Sequence, residues 1–429
     1  MKSKSLSVSF LVIALGLPLP GVETPPPATN TLSLDSVLRE VLDQNPSLRA
    51  ARAAADAMDA RIPQARAWDD PRVGVDIERN GTARFFDWTD NEWMVSQAIP
   101  LNGKNRSRAR AASAEADAAR ADIRHREIEL IVRARAAYAR LANAQAQLEL
   151  SRDLERLFRQ HLEVLQAKFS TGMAMQGDAL MVEGDLVKLL EARRDLDRRA
   201  SDEQSQLNLL MNRPPQSPLA APAPNVFVDL KFNLDDLQQL ALTSRPDLQS
   251  VQHRINAAVA RVDLAKRSWI PDPEIRVEAR QVNGRGGFIN EYDTGIFFSF
   301  PWLNRGKYRS AIVEAEKSRE VTELELDAAR AQVLGAVRDQ LRKIETQHHH
   351  YMLYRDRLVP LARQAAEAAR VAYVNGKAQS IDVITALRTV REVTAMHQDH
   401  LQDYLVAVAE LEGVIGRPLG ELREKKNSN

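Results

Sequence analysis

The sequence predicts a mainly α-helical chain with a small β part, built from two tandem copies of one long helical hairpin. Three observations support this prediction. The two halves of the 429-residue chain repeat each other at an offset of about 200 residues. The stretch from Lys104 to Thr171 contains neither proline nor glycine, and one helix of about 65 residues would be about 100 Å long. Each half also contains two short segments in which apolar and polar residues alternate, as in half-buried strands.

The composition agrees with long helices and excludes several classes of site. Aromatic residues make up 5% of the chain, and the formal net charge is only +1 at pH 7. This balanced charge gives no basic field, so we expect no nucleic-acid partner. The chain has no cysteine. Disulfides, thiolate metal ligands, a cysteine nucleophile and a lipidated N-terminal cysteine are therefore excluded.

Residues 1–30 are expected to be an export signal followed by a Pro-rich leader. Lys2 and Lys4 precede an apolar run from Leu6 to Leu17, which has the length of a signal peptide and is too short to span a bilayer. A disordered cytosolic leader is the alternative interpretation. No other stretch of about 18 apolar residues follows in the sequence. If the exported chain enters a membrane, we therefore expect it to do so through β-strands.

The internal repeat sets the expected domain boundaries. Matching residues occur in the same order along both halves: Leu34 and Leu234, Asn45-Pro46 and Arg245-Pro246, Asp70-Pro71 and Asp272-Pro273, Gly103-Lys104 and Gly306-Lys307, Gly172 and Gly376, and Arg213-Pro214 and Arg417-Pro418. We therefore expect a first repeat over 31–213, a linker over 214–233, a second repeat over 234–418 and a polar tail over 419–429.

The first helix and the β-hairpin begin each repeat. The helix is predicted to start near Leu34 or Leu234 and to continue to about Trp68 or Trp269, with a kink at Pro63 in the first copy. The alternating segments then predict a β-hairpin over 72–99 in the first repeat and over 274–300 in the second.

The long helix and a return helix complete each repeat. The long helix is predicted over 104–170 and 307–375, with a bend near Pro360 in the second copy. Each long helix ends at a glycine, Gly172 or Gly376, which can adopt the positive φ of a helix C-terminus. The return helices are predicted over 178–211 and 382–415. Helices of this length far exceed a normal domain width, so we expect them to lie in an extended coiled coil.

The strand count indicates that one chain cannot close a barrel alone. Each strand has about 8–10 residues, which suits a tilted transmembrane strand. An open sheet edge is not tolerated in lipid, and bacterial barrels begin at about eight strands. Four strands from each of two copies or of three copies would suffice, and the residues do not decide between them. The alternative interpretation of a strand pair flanked by helices is an ordinary soluble hairpin. The aromatic residues Trp93, Phe298, Phe300 and Trp302 suit a membrane interface or a core equally well.

The duplicated order of elements resembles the TolC-type outer-membrane efflux factors over about 34–420. The order is helix, hairpin, Pro-x-x-Gly-Lys, long helix, glycine turn and Asp-bearing return helix. Within this family, Ile-Pro-Leu-Asn-Gly-Lys at 99–104 and Asn-Arg-Pro-Pro at 212–215 are most similar to the heavy-metal efflux branch. That branch serves resistance-nodulation-division pumps of the inner membrane.

The resemblance implies a homotrimer in the outer membrane of a Gram-negative cell. Twelve strands would form one transmembrane β-barrel in lipid, and twelve helices would form an α-barrel that extends into the periplasm. This exit duct of a tripartite efflux pump would open when a periplasmic adaptor (membrane fusion) protein and the inner-membrane pump dock. It would export metal cations or small toxic compounds. The alternatives are the duct of a type I protein secretion system and a periplasmic coiled-coil scaffold without a pore.

The resemblance also places the periplasmic tips at Gly172 and Gly376, with Met173 and Met175 beside the first. An exposed helix–turn–helix tip can form new coiled-coil contacts, so we expect these residues to contact the adaptor. Each glycine also has a purely structural interpretation, because it caps its helix.

The expected aperture residues are Asp178, Asp382, Thr385 and Lys377. In the family the second-half Asp lines the aperture, where a threefold ring of carboxylates favours cations. Thr385 stands where relatives often carry another Asp. Lys377 is the base nearest to the position from which an Arg of some relatives pairs with the first-half Asp. The alternative interpretation of both aspartates is the favourable place of an acidic residue in the first turn of a helix.

No cofactor and no metal site are expected. Consecutive helical residues point in different directions, so His348-His349-His350 is interpreted as a solvated helix face. Met173 and Met175 could contact soft ions such as Cu(I), but packing or adaptor contacts are the favoured interpretation. His397 and His400, three residues apart, share a helix face but lack a nearby third ligand. No constellation of catalytic residues is present, so the chain is not expected to be an enzyme.

Overall fold

The computed structural model describes residues 31–78, 90–282 and 289–419. The predicted export signal and leader, and the predicted tail from residue 420 onward, lie outside the described residues. Within the described ranges, no helix is both long enough and apolar enough to cross a membrane.

The first repeat contains the expected order of elements, with one additional short strand and with two helices in place of the single first helix. In chain order these are β1 (Thr31–Leu32), α1 (Leu34–Gln44), α2 (Pro46–Arg66), β2 (Arg72–Glu78), β3 (Asp90–Ala98), α3 (Lys104–Ser170) and α4 (Gln176–Leu210). The long helix α3 has the bounds that the absence of proline and glycine predicts.

The second repeat has the same order of elements after the linker. The linker itself contains β4 (Ala221–Pro222), and the elements after it are α5 (Leu234–Ser244), α6 (Pro246–Arg267), β5 (Pro273–Val282), β6 (Glu291–Phe298), α7 (Arg305–Leu353), α8 (Val359–Val374) and α9 (Ser380–Ile415). A 3₁₀ turn over Pro301–Asn304 precedes α7, and a π-helical turn over Tyr354–Leu358 separates α7 from α8.

The prediction of one continuous first helix is wrong in both repeats. Asn45 and Arg245 have extended backbones, with φ near −65° and ψ near 120°, because a following proline disfavours the helical conformation of the residue before it. The Asn45 side chain then caps α2, accepting a hydrogen bond from the Ser47 N–H at 3.0 Å. Pro63 lies inside α2, which continues to Arg66.

The second long helix is interrupted where a bend was expected. The π-helical turn Tyr354–Leu358 ends two residues before Pro360, which lies in the first turn of α8. A proline in a helix lacks its N–H and crowds the carbonyl one turn earlier, and a π turn is one way in which the backbone accommodates this.

A four-stranded antiparallel sheet has the order β2-β3-β5-β6, so the hairpins of the two repeats pair through β3 and β5. One face of this sheet is apolar and exposed in the protomer, with Val73, Val75, Ile296 and Phe298 on it. The other face carries ion pairs such as Arg280 with Glu92, at 3.0 Å. Phe298, Phe300 and Trp302 are exposed, so they do not form a core within the protomer.

The linker and the first residue of the predicted tail pack against the repeats, which was not predicted. Thr31 and Leu32 pair in parallel with Ala221 and Pro222 of the linker, which forms a two-stranded sheet that was not predicted. Leu419, placed at the start of the predicted polar tail, is buried in the hydrophobic cluster of the second repeat. The polar tail therefore does not begin at this residue.

Apolar clusters lie at several levels along the helices. In the first repeat, Val37, Val41 and Leu48 pack against α3 and α4, and a related cluster lies in the second repeat. A further cluster lies near the glycine turns and contains Phe158, Leu165, Val182, Val383 and Ile384. That cluster joins the hairpins of the two repeats at the end distant from the sheet.

Candidate functional site

The two glycine turns form the end of the helical hairpins distant from the sheet. Gly172 and Gly376 both have φ +72°, and a Cβ added at either would meet nothing within 4 Å. The backbone N–H of the residue after each glycine donates to a carbonyl five residues earlier, at 2.8 Å, as in a Schellman cap. Met173 and Met175 are 76% and 79% exposed. The first tip therefore presents two apolar side chains to solvent beside a capped helix end.

Asp382 lies in the first turn of α9 and has a structural role there. Its carboxylate accepts a hydrogen bond from the Gln379 N–H at 2.9 Å, which completes a capping box. Its side chain is exposed, as is that of Thr385 on the next turn. The helix-start interpretation therefore describes the contact that Asp382 makes, and its place at an aperture stays a prediction.

Asp178 lies in the first turn of α4, partly buried between the two hairpins. Its charge acts on His161 and Tyr373: it opposes the lowering of the His161 pKa and adds to the raising of the Tyr373 pKa by burial. Lys377 is exposed on the opposite turn. Within the described part of the chain these two residues form no ion pair with each other, so their pairing stays a prediction.

A buried polar cluster around His161 joins the two tips and was not predicted. His161 of α3 is 6% exposed, and its Nε2 lies 3.0 Å from the Ser380 hydroxyl at the start of α9. The edge of its ring meets the Tyr373 ring, with 5.0 Å between centroids. Lys168 donates to the Tyr373 carbonyl at 2.7 Å and lies over the same ring. These contacts hold the turn of the second hairpin against the long helix of the first.

Burial lowers the pKa of His161, the nearby charge of Asp178 raises it, and the nearby charge of Lys168 lowers it further. The packed tip therefore favours the neutral imidazole. An exposed histidine titrates at about 6.5. Protonation of His161 at lower pH places a cation in a site that burial has desolvated.

An ion pair between the two return helices is the second feature that was not predicted. The Arg388 guanidinium of α9 donates to both carboxylate oxygens of Asp185 in α4, through Nη2 at 2.7 and 2.8 Å and Nε at 3.1 Å. The Asp185 side chain is 7% exposed. Asp185 lies one heptad after Asp178 on the same helix, so the bidentate pair is about 10 Å further along the helix than Asp178. Bidentate geometry of this kind is among the stronger polar contacts in proteins.

The interpretation of the three consecutive histidines as a solvated face is correct for His349 only. His348 Nε2 lies 3.1 Å from Asp229 Oδ1 of the linker, and the rings of His350 and His400 are in edge contact, with 4.9 Å between centroids. These two histidines pack because the linker and α9 cover that side of α7. Among the described residues, no group of three or more His, Asp or Glu is arranged to hold a metal ion.

The duplicated hairpins, the shared sheet and the capped tips define an elongated protomer built from two repeats. Residues 37–213 and 237–417 match the family model of the outer membrane efflux proteins. The two matched ranges correspond to the two repeats. The chain belongs to the outer membrane efflux protein family.

Solved structures of outer-membrane channels share this fold. The MtrE channel of Neisseria gonorrhoeae superposes with a TM-score of 0.77 at 16% identity, covering 94% of this chain and 98% of that one. For VceC of Vibrio cholerae the TM-score is 0.75 at 18% identity, with 90% and 96% covered. For CusC it is 0.76 at 16% identity, with 90% and 92% covered. At these identities the likeness establishes the fold.

A curated relative is the alkaline protease secretion protein AprF of Pseudomonas aeruginosa. It is 24% identical over 276 residues, which are 62% of this chain. The match spans 56% of the length of AprF.

The first testable prediction concerns the pH dependence of the tip. Because the pKa of His161 is lowered in the packed state, its contribution to stability is present above the ordinary pKa of about 6.5 and is lost as the pH falls below it. We expect amide exchange of residues 376–384, corrected for the intrinsic rate, to become faster between about pH 7 and pH 5. Hydrogen-exchange mass spectrometry of the intact protein measures this.

The matched variants separate His161 from other titrating groups. H161Q keeps a neutral hydrogen-bonding side chain and is expected to make tip exchange nearly independent of pH over that range. H349Q removes an exposed histidine and is expected to behave like the wild type. The same acceleration at low pH in H161Q as in the wild type would assign the effect to another group.

Proposed function

We propose that this chain is the outer-membrane exit duct of a tripartite efflux pump, and not an enzyme. The first repeat has one helix of about 100 Å, and in the second repeat α7 and α8 follow each other over a similar length. The observation that supports the proposal most is the arrangement of these two repeats below one sheet whose apolar face is exposed. Exposed apolar area of this extent is normally covered by a partner or a membrane. The family match over both repeats agrees with this arrangement.

We propose that the working assembly is a homotrimer with a twelve-stranded barrel. The protomer sheet ends at β2 and β6, whose outer edges lie unpaired within the described residues. A membrane-inserted sheet must close so that no backbone edge faces lipid. Three copies of four strands give an even-numbered barrel of a size known among bacterial outer-membrane proteins. The apolar face with Val73 and Phe298 would then contact lipid, and the charged face would line the lumen.

The proposed partners dock at the periplasmic end. The exposed Met173 and Met175, next to Gly172, suit an adaptor that extends the coiled coil, because flexible methionines adapt to apolar contacts. We propose an inner-membrane pump of the resistance-nodulation-division class as the energy source. The motif at 99–104 supports the heavy-metal branch, with metal cations or small toxic compounds as cargo.

Protein secretion is the second candidate function, because AprF is by its name a secretion protein. Complementation distinguishes the two. Expression of this chain in a strain that lacks its own efflux duct should restore resistance to metal salts or toxic compounds. Restoration of protease secretion in a strain that lacks AprF, without restored resistance, would favour secretion. A scaffold without a pore would give neither, and its exposed apolar sheet face would have no lipid to cover it.

The second prediction tests the proposed aperture ring at Asp382. We expect D382N to reduce the cation preference of channels in planar bilayers, measured as the reversal potential in a salt gradient. A unit charge acts on an ion about 4 Å away with about 1 kcal/mol in water, so loss of the carboxylate charge nearest to the ion predicts a decrease of about fivefold. Asparagine keeps an oxygen that accepts the Gln379 hydrogen bond, so the variant changes charge more than capping.

An acidic residue in the first turn of another helix provides a control variant. Asp235 is an exposed acidic residue in the first turn of α5, and D235N is expected to leave selectivity unchanged. Channels of D382N with unaltered selectivity would retain the duct and remove Asp382 from the aperture, while Thr385 on the next turn is also a proposed aperture residue. Asp178 and Lys377 can be tested in the same way.

A further inference from the structure

The two repeats of one protomer meet through an interface with two components. In the sheet, β3 pairs antiparallel with β5, with Gln97 opposite Ile275. Beside the sheet, Lys104 at the start of α3 reaches the segment before β5. Its Nζ donates to the Ile270 carbonyl at 2.5 Å and to the Asp272 carboxylate at 2.7 Å. The lysine side chain is 8% exposed there.

The duplication supplies a second copy of each component at the outer edges of the protomer. Lys307 corresponds to Lys104, and Asp70 corresponds to Asp272, while β6 and β2 correspond to β3 and β5. Both Lys307 and Asp70 are exposed, and within the described residues they form no ion pair with each other. The same motif is thus buried between the repeats and exposed at the outside.

The register of a second interface follows from the two hairpins. Asp70-Pro71 corresponds to Asp272-Pro273, which makes Val73 equivalent to Ile275. The hairpins pair Arg72 with Ser96 and Glu274 with Phe297. This makes Phe297 equivalent to Ser96, and therefore Phe298 equivalent to Gln97. The internal pair of Gln97 with Ile275 then has Phe298 and Val73 as its counterpart.

We propose that β6 of one chain pairs antiparallel with β2 of a second copy so that Phe298 lies opposite Val73 of the partner subunit, and that Lys307 forms an ion pair with Asp70 of the partner subunit. This inference rests on the proposed function, since it specifies how the barrel closes. The contact is head-to-tail, so it can be repeated around a ring until the ring closes.

The proposed register also brings the apolar faces of β6 and β2 together. Ile296 and Phe298 of β6 come opposite Val75 and Val73 of the partner subunit, and all four lie on the exposed apolar face. A shift by one residue would place apolar side chains against the charged face.

Cysteine cross-linking tests the register, and the chain has no native cysteine. Directly opposed residues of antiparallel strands have Cα atoms about 4.5–5.5 Å apart, within the range of a disulfide. With V73C and F298C in one chain, mild oxidation of protein in outer membranes should produce covalent dimers and trimers on a non-reducing gel. The matched pair V73C and F297C places the sulfurs on opposite faces and should remain monomeric. Absence of cross-links in the first pair, or equal cross-linking in both, would overturn the register.

Charge exchange tests the ion pair. K307D and D70K should each lower the yield of trimer several-fold, and the double variant should restore it. K104M serves as a reference, since it weakens the buried counterpart within one protomer. If the double variant fails to restore trimers while its helical circular dichroism is normal, the ion pair is overturned.

The outcomes separate this inference from the proposed function. Cross-linked trimers that conduct no ions in bilayers would support the interface and overturn the duct. Conducting channels that do not cross-link through positions 73 and 298 would support the duct and overturn the proposed register.

Discussion

Replacement of Arg388 by methionine is expected to destabilise the periplasmic end and to raise the conductance of the resting channel. The substitution keeps a long side chain and removes the guanidinium that binds both oxygens of Asp185. The carboxylate would stay buried, at 7% exposure, without its strongest partner. A buried charge that loses its partner costs several times more than an exposed ion pair contributes.

The expected loss of stability in R388M depends on how deeply each member of the ion pair is buried. Removing one member of a fully buried pair costs about 3–5 kcal/mol. The Arg388 side chain is 47% exposed, so solvent screens part of the interaction, and we expect a loss of about 1–3 kcal/mol. The Lys188 ammonium lies 3.9 Å from the Asp185 carboxylate. Because the lysine side chain is exposed, it offsets only a small part of the lost free energy. Thermal unfolding of the purified protein and single-channel conductance measure the two effects.

Two further variants make this prediction specific. R391M removes another exposed arginine three residues along α9, and it is expected to change neither quantity appreciably. The double variant D185L with R388M removes both charges and should recover most of the lost stability, because an apolar pair leaves no buried charge. A stable double variant that still leaks would show that the ion pair restrains the tip through its charge. An R388M protein as stable as the wild type would contradict the whole argument.

The elements of the fold were predictable where one local signal determines them. The long helix α3 lies between Gly103, with φ +70°, and Gly172, with φ +72°, and no residue between them breaks a helix. The strands follow from the alternation of Val73, Val75 and Ile77. The break at Pro46 had a signal as well, the proline itself, but helical periodicity on both sides hid its effect on Asn45.

The polar contacts of the candidate site could not be predicted in the same way. Asp185 and Arg388 are 203 residues apart, and His161 and Ser380 are 219 apart. Whether they meet depends on the rotation and axial offset of helices from different repeats, which no local pattern determines. The chain has 59 basic and 58 acidic residues, so charge alone offers too many possible pairs. The strand pair β1–β4 is also missed, because two residues show no periodicity.

Replacement of Gly416 by alanine is expected to cost more stability than the same change at Gly376, although both glycines have a left-handed backbone. Their φ values are +79° and +72°, and this conformation costs an alanine about 1–2 kcal/mol at either position. At Gly376 an added Cβ meets nothing within 4 Å. At Gly416 it would lie 2.9 Å from the Arg245 Cα and 3.1 Å from the Pro246 Cδ.

The position of Gly416 explains why its neighbours cannot move away easily. It ends α9 beside the break between α5 and α6, where Arg245 donates to the Val414 carbonyl at 2.6 Å and Ser244 donates to the Ile415 carbonyl at 3.0 Å. A methyl group there must displace backbone, and forced overpacking of this kind costs about 1–3 kcal/mol. The total for G416A is then about 2–5 kcal/mol, against about 1–2 kcal/mol for G376A.

Denaturant unfolding followed by helical circular dichroism can compare the two variants directly. We expect the G376A midpoint to fall slightly and the G416A midpoint to fall clearly further, with hydrogen exchange faster around residues 241–250 only in G416A. Equal losses of stability would mean that the left-handed backbone conformation alone accounts for the cost at both glycines. The contact with Arg245 would then relax without cost. The larger loss at Gly416 would instead show that this glycine is required because the break between α5 and α6 packs against the end of α9. Since the first repeat has Asn212 at φ +60° at the corresponding end of α4, the close approach would then be a property of the second repeat.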